Sequence, residues 1–497
     1  VDLEEETRNL LRHLDSRMGP SIYDAAWMAR LPAASGDGAR WPKLLDWLLE
    51  RQREDGSWGG EIPYYHDRIL CTLSAILALQ KHGDGQHVRT AIARGERYIW
   101  HNLHRLRHDP YELVGFELIF PTLLTEALRL DMDLPVHTCG YGQIRREKLA
   151  LIPPAMLYSP RVTTVHSLEF LGNQGDVTRL QQALATNGSL GNSPATTVYY
   201  LLLAGSDGRA MAYLEDMVAR NGHVVYLYPC RIFQLTWALY HLSFCQPLET
   251  LTDVSTWKGQ LLDCLSERGI GLDPTFGIED GDITSVTTYL LAAVGNPPDP
   301  AILARFEDRE RRIFRTYEYE RNVSISTNLH ALEAINLLPD YPDRRVVMDH
   351  VLAFLLASRT YDTYWTDKWN ASPYYVTAHV LAGMLRVAPH IAEECRHTVD
   401  WIVHTQREDG SWGFFDRGTL EETAYALIGL LHYNRHSPVD RTVLQNGARF
   451  LYRNYAGRET RWPELYIGKC LFAPVDVLHA TVLAAMMLYE EDFAWPP

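Results

Sequence analysis

Three acids crowd one short stretch of the chain. In Gly277-Ile-Glu279-Asp280-Gly-Asp282-Ile-Thr284, the residues Glu279, Asp280 and Asp282 fall within four positions, just ahead of the apolar run ITSVTTYLLAAVG. Two neighbouring carboxyls shielded from water cannot both ionise cheaply, so one keeps its proton. An acid held in that state can protonate something as weakly basic as an alkene, provided water is kept out. Read as local structure alone, Asp282 is a helix N-cap and its neighbours favour the helix dipole. Both readings stand at this point.

Other side chains suit the same chemistry. Arg145, Arg146 and Lys148 form the best basic cluster in a chain of formal net charge -15, and Lys368 and Lys469 are further cations that could meet an anionic group. Glu117 lies in the apolar run GFELIFP, where a carboxylate needs a partner to be tolerated. Cations formed during a reaction need stabilising without a nucleophile nearby, and aromatic faces do this. Trp237, Trp365, Trp369, Tyr374, Tyr375 and Phe414 are the candidates. With 13 Trp and 27 Tyr in the chain, most aromatic residues must serve packing.

Elements of helical period must position these groups. Leu420, Ala424, Leu427, Ile428 and Leu431 share one face, and Thr419 and Glu422 make a capping box ahead of them. Similar helices follow one another, split by Gly, Pro and Asp-rich turns, with little strand patterning. The octapeptide Gln52-Arg-Glu-Asp-Gly-Ser-Trp58-Gly59 recurs unchanged as Gln406-Arg-Glu-Asp-Gly-Ser-Trp412-Gly413, the mark of two related halves. In each copy the Gln amide can satisfy backbone groups at a helix end while the indole covers it. The expected fold is all-α, with two α/α barrels.

The bulk numbers narrow the function. A length of 497 residues allows two or three domains, and 46% apolar residues mark a globular chain. The acidic balance argues against nucleic acid or an anionic membrane as partner. No apolar run reaches a membrane span. Seven scattered Cys without a CxxC pair suggest a reduced, cytoplasmic setting, and the acidic N-terminus is no signal or transit peptide. Oligomeric state is not legible.

In collinear order, the chain carries Tyr23-Asp-Ala-Ala-Trp27, the first octapeptide, Val114-Gly-Phe-Glu117, Arg145-Arg-Glu-Lys148, His166-Ser-Leu-Glu169 and Asn187-Gly-Ser. The EDGDIT acid segment, Ser324-Ile-Ser-Thr-Asn328-Leu-His330, Asp367-Lys-Trp369, the second octapeptide and Tyr466-Ile-Gly-Lys469 follow. In this it resembles the class II terpene cyclases, above all the bacterial diterpene cyclases and the copalyl diphosphate synthases. The resemblance implies that Asp282 protonates the terminal double bond of a linear prenyl diphosphate, with Asp280 as first acid of the motif and Asn328 orienting the donor. Ile283 replaces the motif's usual fourth Asp or Thr, leaving Thr284 as a polar partner. His166 takes the place of the family's basic His, and Tyr226 stands where an Asn is usual. Trp237 matches an active-site Trp, whereas Leu272 replaces another. Lys148 aligns near the diphosphate, and Glu117 with an acid held to bind Mg²⁺ against it. The D-D-x-x-D motif of class I cyclases is absent, so the diphosphate should survive.

The resemblance further implies domains: residues 1–19 as a helix joined to the second barrel, 20–245 as an inserted barrel and 246–497 as the barrel bearing the acid, with a seam near Gln246. Geranylgeranyl diphosphate is the expected substrate, giving a labdane or halimane skeleton. Farnesyl diphosphate, giving a drimenyl bicycle, is the alternative. Three rivals remain open: a zinc-dependent protein prenyltransferase subunit, a barrel glycoside hydrolase using Asp280 or Glu279, and a toroid that only binds.

Overall fold

Helices buried over most of their length alternate with helices that are apolar along one stripe, and this alternation sets the architecture. The computed structural model describes residues 2–14, 17–135, 140–318, 320 and 322–493. Ile22–Ala29, Tyr65–His82, Phe116–Arg129, the 3-10 segment Thr163–Gln174 and Pro194–Ala204 contact one another in a closed ring. Helices such as Gln86–Asn102 pack outside it. That helix buries Val88, Ala91, Ile92, Gly95, Tyr98 and Ile99, a stripe spaced for one face. A second ring closes through Arg231–Leu242, Gly281–Ala293, Ile325–Asn336, Pro373–Val387, Leu420–Asn434 and Val475–Asp492. The N-terminal helix Leu3–Arg12 packs on Val475–Asp492.

Each ring encloses its own core. The first core runs from Met18 to Cys230 and then takes in Phe276, Ile278, Ala371 and Leu465, with Ile467, Cys470 and Leu471 from the hairpin Tyr466–Ile467/Leu471–Phe472. Arg231–Leu242 belongs to the second ring, so the seam lies between Cys230 and Arg231 and not at 245/246. The polar stretch at Gln246 is a surface turn inside the second barrel. Its short helix Leu248–Leu251 contributes Leu248 and Leu251 to that core.

The two octapeptides do identical work. Gln52 Nε2 donates to the carbonyls of Gly56 and Ala91 at 3.0 and 2.9 Å, and Gln406 Nε2 to those of Gly410 and Val443 at 3.1 and 2.9 Å. Trp58 Nε1 donates to Leu48 O and Trp412 Nε1 to Ile402 O. The close approach needs glycine on the facing outer helix: a Cβ at Gly447 would lie 2.6 Å from the Trp412 ring. Trp365 repeats the arrangement without the octapeptide. Its Nε1 donates to Leu355 O at 2.7 Å, and its backbone N–H to Thr377 Oγ1 at 3.0 Å. Trp365 is therefore a clamp between helices and does not line the cavity described below.

Candidate active site

A cavity of about 240 Å³ opens between the barrels. The first barrel supplies Val114, His166 and Tyr226. The second supplies Trp237, Asp282 and Tyr375 from the first two turns of inner helices, and the hairpin adds Tyr466 and Phe472. Leu272 and Trp369 also line it, as expected. Phe233, Phe276 and Tyr317 complete a mostly aromatic wall. Their negative faces suit a passing cation and offer it little to react with.

The acid segment enters this wall as a tight turn. Asp280, not Asp282, is the N-cap of Gly281–Ala293, accepting from Ile283 N at 2.7 Å. Gly281 N donates to Thr316 O, and a Cβ at 281 would lie 2.2 Å from Arg315 O, so only glycine fits between the acids. Burial, joined by the neighbouring Asp282 carboxyl, pushes Asp280 well above the usual carboxylate range, against the pull of its Ile283 bond. Asp282, 6% exposed, lines the cavity. Its Oδ1 meets His330 Nδ1 at 2.6 Å.

Two expected partners of the acid are engaged elsewhere. Asn328 Nδ2 donates to Phe314 O and Ser324 O, and its Oδ1 accepts from Phe314 N. It therefore pins the strand Ile313–Phe314, while Ser324 caps its helix. Thr284 Oγ1 accepts from Ile270 N at 3.1 Å. Positions 328 and 330 sit about 200° apart around a helix, so when Asn328 faces the strand, His330 faces the acid. The imidazole lies edge-on to Trp237 and Tyr240, and its Nε2 has no protein partner. The sequence signal was there, an imidazole inside the motif containing Asn328, but the spacing alone did not say which residue turned inward.

Across the interface, His166 and Tyr226 form a pair. Tyr226 OH lies 2.9 Å from His166 Nε2, and His166 Nδ1 lies 2.7 Å from Gly191 O. The carbonyl requires Nδ1–H, so Nε2 accepts the phenol proton. Burial, reinforced by Lys469, lowers His166 to about 3 and keeps it neutral. Tyr226 stacks on Phe472 at 4.8 Å. A Cβ at Gly468 would stand 2.3 Å from its ring, which accounts for glycine in Tyr466-Ile-Gly-Lys469.

The cations separate into different roles. Lys469 is fully buried, and its Nζ donates to Glu169 Oε1 at 2.7 Å, Ser193 Oγ at 2.6 Å and His166 O at 2.8 Å. With its donors consumed, it ties the hairpin to the first barrel and cannot hold a substrate anion. Lys368 pairs with Glu320 at 2.5 Å and donates to Asn322 O. Arg145 donates to Thr122 Oγ1 and Phe170 O, and with exposed Arg146 it borders a different cavity. Lys148 pairs with Glu117, three residues beyond Val114 of the reaction cavity. Tyr374 bonds Thr405 and stacks on Trp401, and Phe414 is 44% exposed. Neither faces the cavity.

Glu117 does not make a Mg²⁺ site by itself. Its carboxylate is neutralised by Lys148, and among the described residues no three His, Cys, Asp or Glu side chains group as metal ligands. Also among the described residues, no helix is long and apolar enough to cross a membrane.

Comparison with known proteins agrees with this geometry. Residues 323–479 match the squalene-hopene cyclase C-terminal domain. The chain is 34% identical to the type B diterpene cyclase of Mycobacterium tuberculosis, over 96% of this chain and 97% of that one. It is 30% identical to labda-7,13-dienyl diphosphate synthase of Streptomyces clavuligerus, over 97% and 91%. The fold superposes on ent-copalyl diphosphate synthase from Streptomyces platensis with a TM-score of 0.79 at 28% identity, covering 98% of this chain and 99% of that one.

Proposed function

The chain belongs to the class II diterpene cyclases, and on that footing we propose that Asp282 is the general acid that starts its reaction. The enzyme cyclises geranylgeranyl diphosphate to a bicyclic diterpenyl diphosphate and leaves the diphosphate in place. The observation that carries the acid assignment is a carboxyl bonded to an imidazole inside an aromatic cavity. A folded substrate filling such an aromatic cavity displaces the water that the acid would otherwise protonate in preference to the alkene.

The Asp282 proton goes to the terminal double bond, and the cation this creates is quenched as the chain folds and two rings close. His330 Nδ1–H holds Asp282 Oδ1 and stabilises the carboxylate left behind. Trp237, Trp369, Tyr375 and Tyr466 present π-faces to the moving charge. Leu272 and Phe276 give the wall its shape and limit how the chain can fold.

The reaction ends when a C–H bond beside the final cation breaks. Tyr226 oxygen takes that proton while its own passes to His166 Nε2. Such a C–H is so acidic that a base as weak as buried His166 suffices. The reach of this pair sets whether a labdane or a rearranged halimane skeleton results. Lys148, released from Glu117 by a more highly charged anion, would hold the diphosphate, and no step requires a metal. Free thiols at Cys71, Cys230, Cys245, Cys264, Cys395 and Cys470 support action in the reducing cytoplasm.

The test is incubation with geranylgeranyl and farnesyl diphosphates, wild type beside Asp282→Ala, with products dephosphorylated and identified by gas chromatography and mass spectrometry. A bicyclic C20 alcohol that disappears in the variant is expected. Cyclic product from Asp282→Ala would refute the acid, and cyclisation of the C15 substrate alone would refute the chain length.

A further inference from the structure

A second cavity, of about 570 Å³, lies in the first barrel and shares no lining residue with the reaction cavity. It opens toward the far ends of the inner helices. Phe116–Arg129 starts beside Val114 of the reaction cavity, and Arg129 lies about 18 Å along it from Glu117 at the usual helical rise. Arg30, Lys81 and Arg129 come from the C-terminal ends of three inner helices, and Arg145 and Arg146 from the outer helix Tyr141–Leu151. Five cations thus line one cavity of a chain whose net charge is -15.

Acids do not balance them. The cavity holds two, Glu126 and Glu169. Glu126 is paired with Arg30, and Glu169 is taken by Lys469. Arg30 is 5% exposed, yet its Nε and Nη1 have no hydrogen-bond partner. Over the Trp27 ring at 4.2 Å, this guanidinium keeps two buried donors that Glu126 does not satisfy, and leaving such donors unmet is costly. Helix dipoles favour cations at these ends, but that effect falls off within a turn and does not explain convergence from four elements on one concavity.

We propose that this cavity is a second binding site, selective for a phosphate or diphosphate group and separate from the site of cyclisation. The guanidinium groups of Arg129 and Arg146 and the ammonium of Lys81 would meet the anion's oxygens. Trp27, Tyr199, Leu202 and Leu203 form an apolar wall beside them, able to cover an organic ester's tail. The inference does not depend on Asp282 being the acid.

Titration calorimetry with inorganic diphosphate tests it, using wild type, Lys148→Ala, and the exposed pair Lys81→Ala/Arg129→Ala. Lys148→Ala should still bind the ion. The double variant should bind at that site about tenfold more weakly, with unchanged melting temperature and unchanged turnover at saturating substrate. Equal affinity in the double variant, or no binding to Lys148→Ala, would overturn the proposal. So would an equal loss in Arg97→Ala/Arg105→Ala, whose cations lie outside this cavity. Geranyl diphosphate binding more tightly than the inorganic ion would assign the wall to an ester's tail, and equal binding would assign the site to the free ion.

Discussion

His330 Nδ1 lies 2.6 Å from Asp282 Oδ1, joining two inner helices of the second barrel at the edge of the reaction cavity. The contact engages one carboxyl oxygen of a residue that lines the reaction cavity. It also gives the carboxylate formed after proton transfer a donor that needs no reorganisation. His330→Ala should lower kcat by about 10²-fold with little change in KM, since the bond is strongest once Asp282 has lost its proton. His330→Asn, which restores a donor, should recover part of the loss. Equal kcat in wild type and His330→Ala would remove the imidazole from the mechanism.

Tyr226 and His166 should govern where the reaction stops more than how fast it starts. Tyr226→Phe deletes the oxygen that takes the last proton, and His166→Ala deletes its acceptor and opens space for water. Product profiles should shift toward other double-bond isomers or hydroxylated diphosphates, with substrate consumption within about tenfold of wild type. A single unchanged product from both variants would place termination elsewhere.

Lys148 and Lys469 should fail in opposite ways. Lys148 is a quarter exposed and pairs with buried Glu117, so Lys148→Ala/Glu117→Gln, which removes the cation without stranding the carboxylate, should raise KM about tenfold and leave the melting temperature nearly unchanged. Lys469→Met should strand buried Glu169 without its partner, at a cost of about 3–5 kcal/mol, and lower the melting temperature sharply. Thermal denaturation beside steady-state kinetics separates the two. A stable Lys469→Met with a raised KM would return Lys469 to substrate binding.

Trp365 and Trp237 make a similar contrast. Trp365→Phe loses the bond to Leu355 O and should destabilise by about 1–3 kcal/mol while the product stays the same. Trp237→Leu removes a cavity face and should change the product mixture. Altered products from Trp365→Phe would show that the clamp also shapes the site.

These contrasts mark where the sequence was readable. The paired barrels were legible because octapeptides and helical periods report local burial, which each helix carries in its own residues. That Asp282, Trp237, Leu272 and Trp369 line one cavity was legible because each stands at a position the family resemblance carries over, Asp282 and Trp369 within collinear motifs. Lys469 and Trp365 were not. A lone cation or indole has no period, and its partners, Glu169 and Leu355, are set by tertiary packing. The seam misled for a related reason: polar Gln246 marks a surface turn, whereas the boundary at Cys230 is defined by which ring Arg231–Leu242 joins. Asn328 and His330 show the finest limit, since a rotation of one helix decides which of them meets the acid.

Acid should weaken the second barrel through its buried imidazoles. His432 is buried, and its Nε2–H donates to Phe244 O at 3.2 Å. Burial, with Arg386 and Arg435 nearby, lowers it from 6.5 to about 3. In the unfolded chain it protonates near 6.5, so between pH 6.5 and 3 the unfolded state binds the extra proton. Stability from this group is therefore complete above about pH 6.5 and is lost as pH falls toward 3, at roughly 1 kcal/mol per pH unit. His432→Gln keeps a donor for Phe244 O but cannot titrate. It should be somewhat less stable than wild type at pH 7.5, and the gap should close as pH falls to 5. Melting temperatures that stay parallel across that range would mean that His432 is already protonated in the folded barrel.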